Sequence, residues 1–188
     1  RHAELVAAHC IAIALIMFLQ PNMKSDWPVT TTGTQVEVLT ANIKMGAAIE
    51  DLVALIVREK PDIVFVQECT QLCADALASK PIKKLLRYQV LDPRPDSAGA
   101  AILSVFPLST PTELFRQSAI GSEFAMPEAL LEIPDLGTIA VKSAHPFPPV
   151  PQYERFWASG LAALAKFSMH YGSMPVLVAG DFNSGIEH

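Results

Sequence analysis

At 188 residues the chain has room for one domain plus an appendage, and enough length to bury a sizeable core. Its formal net charge of −5 argues against strong non-specific adhesion to phosphate backbones, so any nucleic acid it meets is expected as a substrate, held by a local basic patch or through a metal. Three cysteines, Cys10, Cys69 and Cys73, are odd in number and sparse in spacing, which excludes a disulfide framework.

The mean hydropathy of +0.31 is high for a soluble domain, and part of the excess sits near the start. Leu5 to Leu19, LVAAHCIAIALIMFL, carries no formal charge and is broken only by His9. A bilayer span needs about 20 apolar residues and a signal-peptide hydrophobic region about 7 to 15. Apolar residues at nearly every position leave no solvated helical face. The run is therefore expected to be the tail end of a membrane-spanning helix, with an uncleaved signal-like segment and a soluble core helix as the alternatives. Opening on Arg1 rather than Met, the chain is expected to continue upstream. Residues 20–34, QPNMKSDWPVTTTGT, are rich in Pro, Thr and polar residues without helical period, and read as a linker. The expected divisions are thus an apolar segment at 1–19, a linker at 20–34 and a domain at 35–188.

From Gln35 onward strands and helices alternate. Val36 to Ala41 is strand-like, and Ile49, Leu52, Val53 and Ile56 keep the spacing of a helix that should end before Pro61. Ile63 to Gln67 is a short buried strand. A helical stretch opens at Thr70 and reaches about Ser79, and Pro81 starts a second. Cys69 and Cys73, four apart, read as two small buried thiols, against a strained local disulfide or half of a metal site.

Strands follow at Tyr88 to Leu91, Ala100 to Phe106, Thr112 to Phe115, Ala129 to Ile133 and Thr138 to Ala144, the last two joined by a turn at Pro134 to Gly137. Gln152 to His170 is one long helix closed by Gly172, and Met174 to Ala179 is the closing strand.

Five polar residues stand just after apolar runs: Asn42, Glu68, His145, Asp181 and Asn183. Side-by-side strands bring their tips to one rim of a sheet, so the five are expected to converge. Two carboxylates, two amides and an imidazole suit a hard cation and a phosphate, since Mg²⁺ prefers oxygen ligands and keeps several waters. A nucleotide-binding loop with GK[ST], a kinase Asp-Phe-Gly and a GxSxG elbow are all missing from the sequence.

Taken together, LTANIKMG, VQE, GAAILSVFPL, AHPFPP and above all GDFN resemble the successive motifs of the endonuclease/exonuclease/phosphatase superfamily, over about residues 35 to 188. The resemblance implies an α+β fold in which two mixed sheets form a sandwich flanked by helices, a four-layer αββα arrangement present here only in part. It also implies hydrolysis of phosphoric esters by water attacking in line at phosphorus, with Mg²⁺ as cofactor and Mn²⁺ as its substitute. Glu68 would ligate the ion, and Asn42 would help to hold the metal or the phosphate. His145 would hydrogen-bond a phosphate oxygen. Asp181 would orient or deprotonate the water, and Asn183 would position that water or bind the phosphate.

Relatives on this scaffold act on nucleic acid, lipid headgroups and small phosphate esters, so the substrate class stays open; a non-catalytic binding or scaffolding domain is the alternative reading. No obligate protein partner is expected. Membrane attachment through the N-terminal segment, with the domain on the extracytoplasmic side, is expected by analogy. The family's site is completed by a Ser-Asp-His element after GDFN. His188, preceded by Ile186-Glu187, reads instead as a loop or helix-start residue, so the 188-residue chain alone is expected to be inactive.

Overall fold

The computed structural model describes residues 35–110 and 124–184, all within the larger of two compact units, 34–188. The apolar run at 5–19, the linker at 20–34, the strand at Thr112 to Phe115 and the setting of His188 lie outside the described residues. Among the described residues no helix is long and apolar enough to cross a membrane.

Eight strands and four helices follow one another as β1 (Val38–Asn42), α1 (Ile49–Glu59), β2 (Ile63–Gln67), α2 (Gln71–Leu77), α3 (Lys80–Leu85), β3 (Tyr88–Asp92), β4 (Ala100–Ser104), β5 (Leu108–Ser109), β6 (Glu128–Ile133), β7 (Gly137–Ala144), α4 (Glu154–His170) and β8 (Val176–Gly180) among the described residues. They build two four-stranded mixed sheets, ordered β1-β2-β4-β3 and β5-β6-β7-β8. In each sheet one pair runs parallel, β1 with β2 and β7 with β8, and the remaining pairs are antiparallel.

The two-residue period of a strand sorts its side chains between layers. Ile63 and Phe65 of β2 and Ile102 of β4 point into the space between the sheets, where they meet Ala129, Leu131, Ile133 and Val141. Their neighbours Val64, Val66, Ala101 and Leu103 point outward and are covered by Leu52 and Ile56 of α1, Leu77 of α2 and Ile82 of α3. A buried hydrogen bond, Gln67 Nε2 to Ser143 Oγ at 3.1 Å, ties the inner faces together near the functional rim. On the far side, α4 buries Leu164 and Phe167. There the Lys142 ammonium lies 4.9 Å from the Phe167 ring centre and pairs with Glu128 at 2.8 Å, which satisfies a charge that would otherwise be buried alone. The architecture is the expected four-layer αββα sandwich.

Local chemistry sets the element ends. Helix α1 stops at Lys60, whose φ of 51° puts it in the left-handed region, and Pro61 blocks continuation. The expected strand from Ala100 to Phe106 ends instead at Ser104, whose hydroxyl accepts the Phe106 N–H at 2.9 Å; Pro107 has no N–H for a ladder, and Leu108–Ser109 joins the other sheet. The first strand starts two residues later than the spacing predicts and includes Asn42.

The two cysteines correct a sequence reading. Both are fully buried, but they are joined as a disulfide. Cys69 lies in the link before α2 and Cys73 in its first turn, so the Cα atoms come to 5.3 Å, within bridging distance.

Candidate active site

Four strands end at the same rim. In the first sheet Asn42 and Gln67 are register partners, so Glu68 emerges one residue beyond Asn42's level. In the second, Ala144 is paired with Gly180, so His145 and Asp181 leave side by side, and the Asp181 N–H still reaches the Ala144 carbonyl at 3.0 Å. That closeness depends on Gly180, whose φ is +153° and where a Cβ would collide with the Ala144 backbone.

The five polar residues singled out in the sequence are brought together here. The Asn42 Nδ2 group donates to Glu68 Oε1 at 2.9 Å and to Asp181 Oδ2 at 3.0 Å. Its carbonyl oxygen accepts the Lys44 N–H at 2.9 Å, which settles the amide's orientation. The second Glu68 oxygen accepts the Met45 N–H at 2.7 Å. That donor is presented by a left-handed run through Lys44, Met45 and Gly46, at φ of 49°, 55° and 84°. Glu68 itself sits at φ 62°, an uncommon backbone for a residue of its kind and one that concentrates at functional sites.

Asn183, also left-handed at φ 49°, donates its backbone N–H to Asp181 Oδ1 at 2.9 Å and its side-chain amide to the Pro146 carbonyl at 2.8 Å. It therefore fixes the Asp181 carboxylate and links the two loops leaving β7 and β8. The Trp157 indole donates to the Phe182 carbonyl at 3.1 Å and secures the same loop from α4.

His145 is 2% exposed, with Nε2 3.8 Å from Glu68 Oε1, beyond hydrogen-bond reach. Burial pushes its pKa below the ordinary imidazole value, and the negative charges of Asp181 and Glu68 offset that only in part. Its Nδ1 is buried without a hydrogen-bond partner, and the Phe124 ring stands edge-on to it at 4.9 Å.

Beside these groups lies a cleft of about 360 Å³ lined by Glu68, His145 and Asn183 together with Phe124, Phe147 and Tyr153; Asn42 and Asp181 adjoin Glu68 and Asn183 without lining it. The sequence reading missed the Met45 N–H and the aromatic side. Gly46 after Lys44-Met45 is the signal for the first; Pro146, Pro148, Pro149 and Pro151, which restrict the backbone around Phe147, are the signal for the second.

The donor set fits a hard divalent cation. Two carboxylates converge on one amide and supply oxygen donors, and no Lys or Arg lines the cleft among the described residues. Among the described residues no group of three or more His, Cys, Asp and Glu side chains is placed to hold a metal ion.

A family model described as "Endonuclease/Exonuclease/phosphatase family" matches residues 39–186. No curated protein sequence matches the chain. Among solved structures, beta toxin from Staphylococcus aureus, as a β-hairpin deletion mutant, is similar at TM-score 0.60 and 16% identity over 83% of this chain and 70% of that one. TDP2 of D. rerio, complexed with single-strand DNA product, is similar at TM-score 0.58 and 12% identity over 81% and 62%. TDP2 from C. elegans gives TM-score 0.61 and 16% identity over 81% and 49%. The chain thus spans 49% to 70% of the length of these structures. A further beta toxin structure, of a double mutant, is described with bound magnesium ions.

Proposed function

The chain belongs to the Endonuclease/Exonuclease/phosphatase family, and from that membership we propose that it hydrolyses phosphoric esters by in-line attack of water at phosphorus, with Mg²⁺, or Mn²⁺ in its place, as cofactor. The observation that carries the proposal is the Asn42 bridge, which gathers Glu68 and Asp181 from opposite sheets at one rim. A protein that only packed strands would gain nothing from holding two carboxylates together, since like charges at this separation repel.

Glu68 is the proposed holder of the cation; Asn42 presents its N–H groups there, its oxygen being held by the Lys44 N–H, so it would join the ion only by turning its amide. When bound, the ion supplies charge neutralisation for the phosphoryl oxygens. Asp181 is anchored on one oxygen by the Asn183 N–H and directs the other into the rim, where it would orient a water and accept its proton. The buried His145, kept neutral by its surroundings, would donate an N–H to a phosphoryl oxygen. Asn183 acts mainly by positioning Asp181, with its remaining carbonyl oxygen available to the water.

The magnesium described in beta toxin and the DNA product described with D. rerio TDP2 support the choice of ion and of a phosphoric ester. The apolar run Leu5 to Leu19 supports membrane attachment, and the extracytoplasmic side is proposed by analogy alone; recovery of the whole protein entirely in the soluble fraction would remove that part of the proposal.

The test is hydrolysis of bis(p-nitrophenyl) phosphate by the whole protein with Mg²⁺ and with excess chelator. Turnover that needs the ion supports the reading. Turnover that persists in chelator refutes the metal, and Mg²⁺ binding without turnover of any ester points to a scaffolding domain.

A further inference from the structure

The aromatic side of the cleft plays no part in the chemistry so far described. Phe124 stands edge-on to His145 at 4.9 Å and to Phe147 at 4.5 Å, and Phe147 in turn lies 5.2 Å from the Tyr153 ring. A continuous ring surface therefore begins at the imidazole proposed to touch the phosphoryl group and runs outward to solvent, where Tyr153 is 40% exposed.

This surface is held rigidly. Phe147 lies between Pro146 and Pro148, and Pro149 and Pro151 follow, so the backbone of the loop has few conformations to lose. Val150 N–H reaches the Pro148 carbonyl at 2.9 Å and Tyr153 N–H reaches Val150 at 2.8 Å. Asn183 holds the Pro146 carbonyl at 2.8 Å. Helix α4 presses on the loop at Gly160, where a Cβ would come within 2.7 Å of the Pro146 Cβ. A half-exposed aromatic pair on so constrained a loop loses little freedom on meeting a ligand.

Charge narrows what that ligand is. Among the described residues the lining holds no Lys or Arg, so this side presents rings and the Ser97 and Tyr153 hydroxyls rather than a cation. Aromatic faces and edges favour a flat ring over an alkyl chain of equal area. We propose that the cleft binds an aromatic ring of the substrate against Phe147 and Tyr153, beside the phosphoryl group, so that the preferred esters carry a phenol or a nucleobase next to the phosphorus. The inference rests on the hydrolase reading for the position of the phosphoryl group.

The probes are phenylphosphonate, thymidine 5′-phosphate, methylphosphonate and phosphocholine, titrated in Mg²⁺ into the whole protein while the ring resonances of Phe147 and Tyr153 are followed by NMR. Phenylphosphonate or thymidine 5′-phosphate should bind about tenfold more tightly than methylphosphonate and shift both sets of resonances; which of the two binds better tells a phenol from a nucleobase. Phe147→Leu or Tyr153→Leu should bring the ratio to near one, and Phe147→Tyr should keep it.

Equal affinity for methyl and aryl probes, a preference that survives both leucine variants, or tighter binding of phosphocholine would overturn the inference, the last in favour of a quaternary-ammonium cage. Hydrolysis without ring preference defeats only this inference. Ring preference without hydrolysis defeats only the hydrolase reading.

Discussion

Asn42 and Asp181, 139 positions apart in the chain, are joined by a hydrogen bond of 3.0 Å between Nδ2 and Oδ2. The bond closes the rim across the two sheets, and the same amide nitrogen reaches Glu68 at 2.9 Å. An amide is a useful occupant of this position because it donates to both carboxylates while adding no charge of its own. Asn42→Asp removes the donor and puts a third carboxylate in its place. Hydrogen bonds to charged acceptors contribute about 1.5–3 kcal/mol, so in chelator the variant should melt roughly 3–12 °C lower than the parent. Added Mg²⁺ should recover part of that loss by binding the folded state. Identical melting in chelator would show that the bridge contributes nothing to the fold.

Glu68→Gln separates charge from shape. The amide can keep one acceptor oxygen for the Met45 N–H, now 2.7 Å from a carboxylate oxygen, but its NH2 then faces the Asn42 donor and that bond is lost; the left-handed backbone at φ 62° is no harder for Gln than for Glu. The fold should persist, with a melting temperature lowered by no more than Asn42→Asp lowers it, since only one of the two Asn42 bonds is lost. Turnover should fall by about 10³ or more, because an uncharged amide holds Mg²⁺ poorly and the phosphoryl charge is then left uncompensated. Parallel melts and ester assays check both halves, and near-normal turnover would remove Glu68 from the metal.

The meeting of Asn42, Glu68, His145, Asp181 and Asn183 was legible in the sequence because an apolar run that must be buried fixes where its strand ends, and polar residues at such ends collect at a rim. Their division of labour was not. That Asn183 spends its amide on Pro146, and that Asn42 donates to two carboxylates at once, depends on loop conformations at positive φ, which residue types suggest weakly outside glycine. The Cys69–Cys73 bridge was hidden for a similar reason: four residues apart allows pairing only when the first cysteine lies outside the helix. The break between β4 and β5 follows from Pro107, a signal that was present and outweighed by the apolar run around it.

Gly180 gives a test of how Asp181 is delivered. At φ +153°, and with a Cβ placed 2.7 Å from the Ala144 nitrogen and closer still to its carbonyl oxygen, Gly180→Ala must push β8 away from β7 at the point where the rim forms. Overpacking against backbone costs about 3 kcal/mol, to which the forbidden dihedral adds. Gly172 is the control: its φ is +57°, a Cβ there meets open space, and Gly172→Ala should cost only about 1–2 kcal/mol. Gly180→Ala should also lose turnover out of proportion to its melting temperature, because Asp181 moves with the strand. Equal effects of the two substitutions in both melting and turnover would show that the close approach to Ala144 does not position the site.

The last expectation concerns acid. Burial holds the His145 pKa below its ordinary value near 6.5, despite the opposing pull of Asp181 and Glu68. The unfolded chain, where the imidazole is solvated, protonates first as pH falls through 6.5, while the folded protein stays neutral until its own lower pKa is reached. Proton uptake by the unfolded state alone lowers the stability of the fold, so this contribution is absent above 6.5 and grows as pH drops below it. In chelator the melting temperature should accordingly decline from about pH 7 toward pH 5, and His145→Gln, which has no proton to gain, should decline less over the same window. The difference between the two melting curves isolates this imidazole from every carboxylate that titrates alongside it. A difference that stays flat from pH 7 to 5 would mean that the fold leaves the imidazole at its ordinary value, and one that favours the parent more at the acid end would mean that the fold raises it; either would contradict a His145 kept neutral by burial.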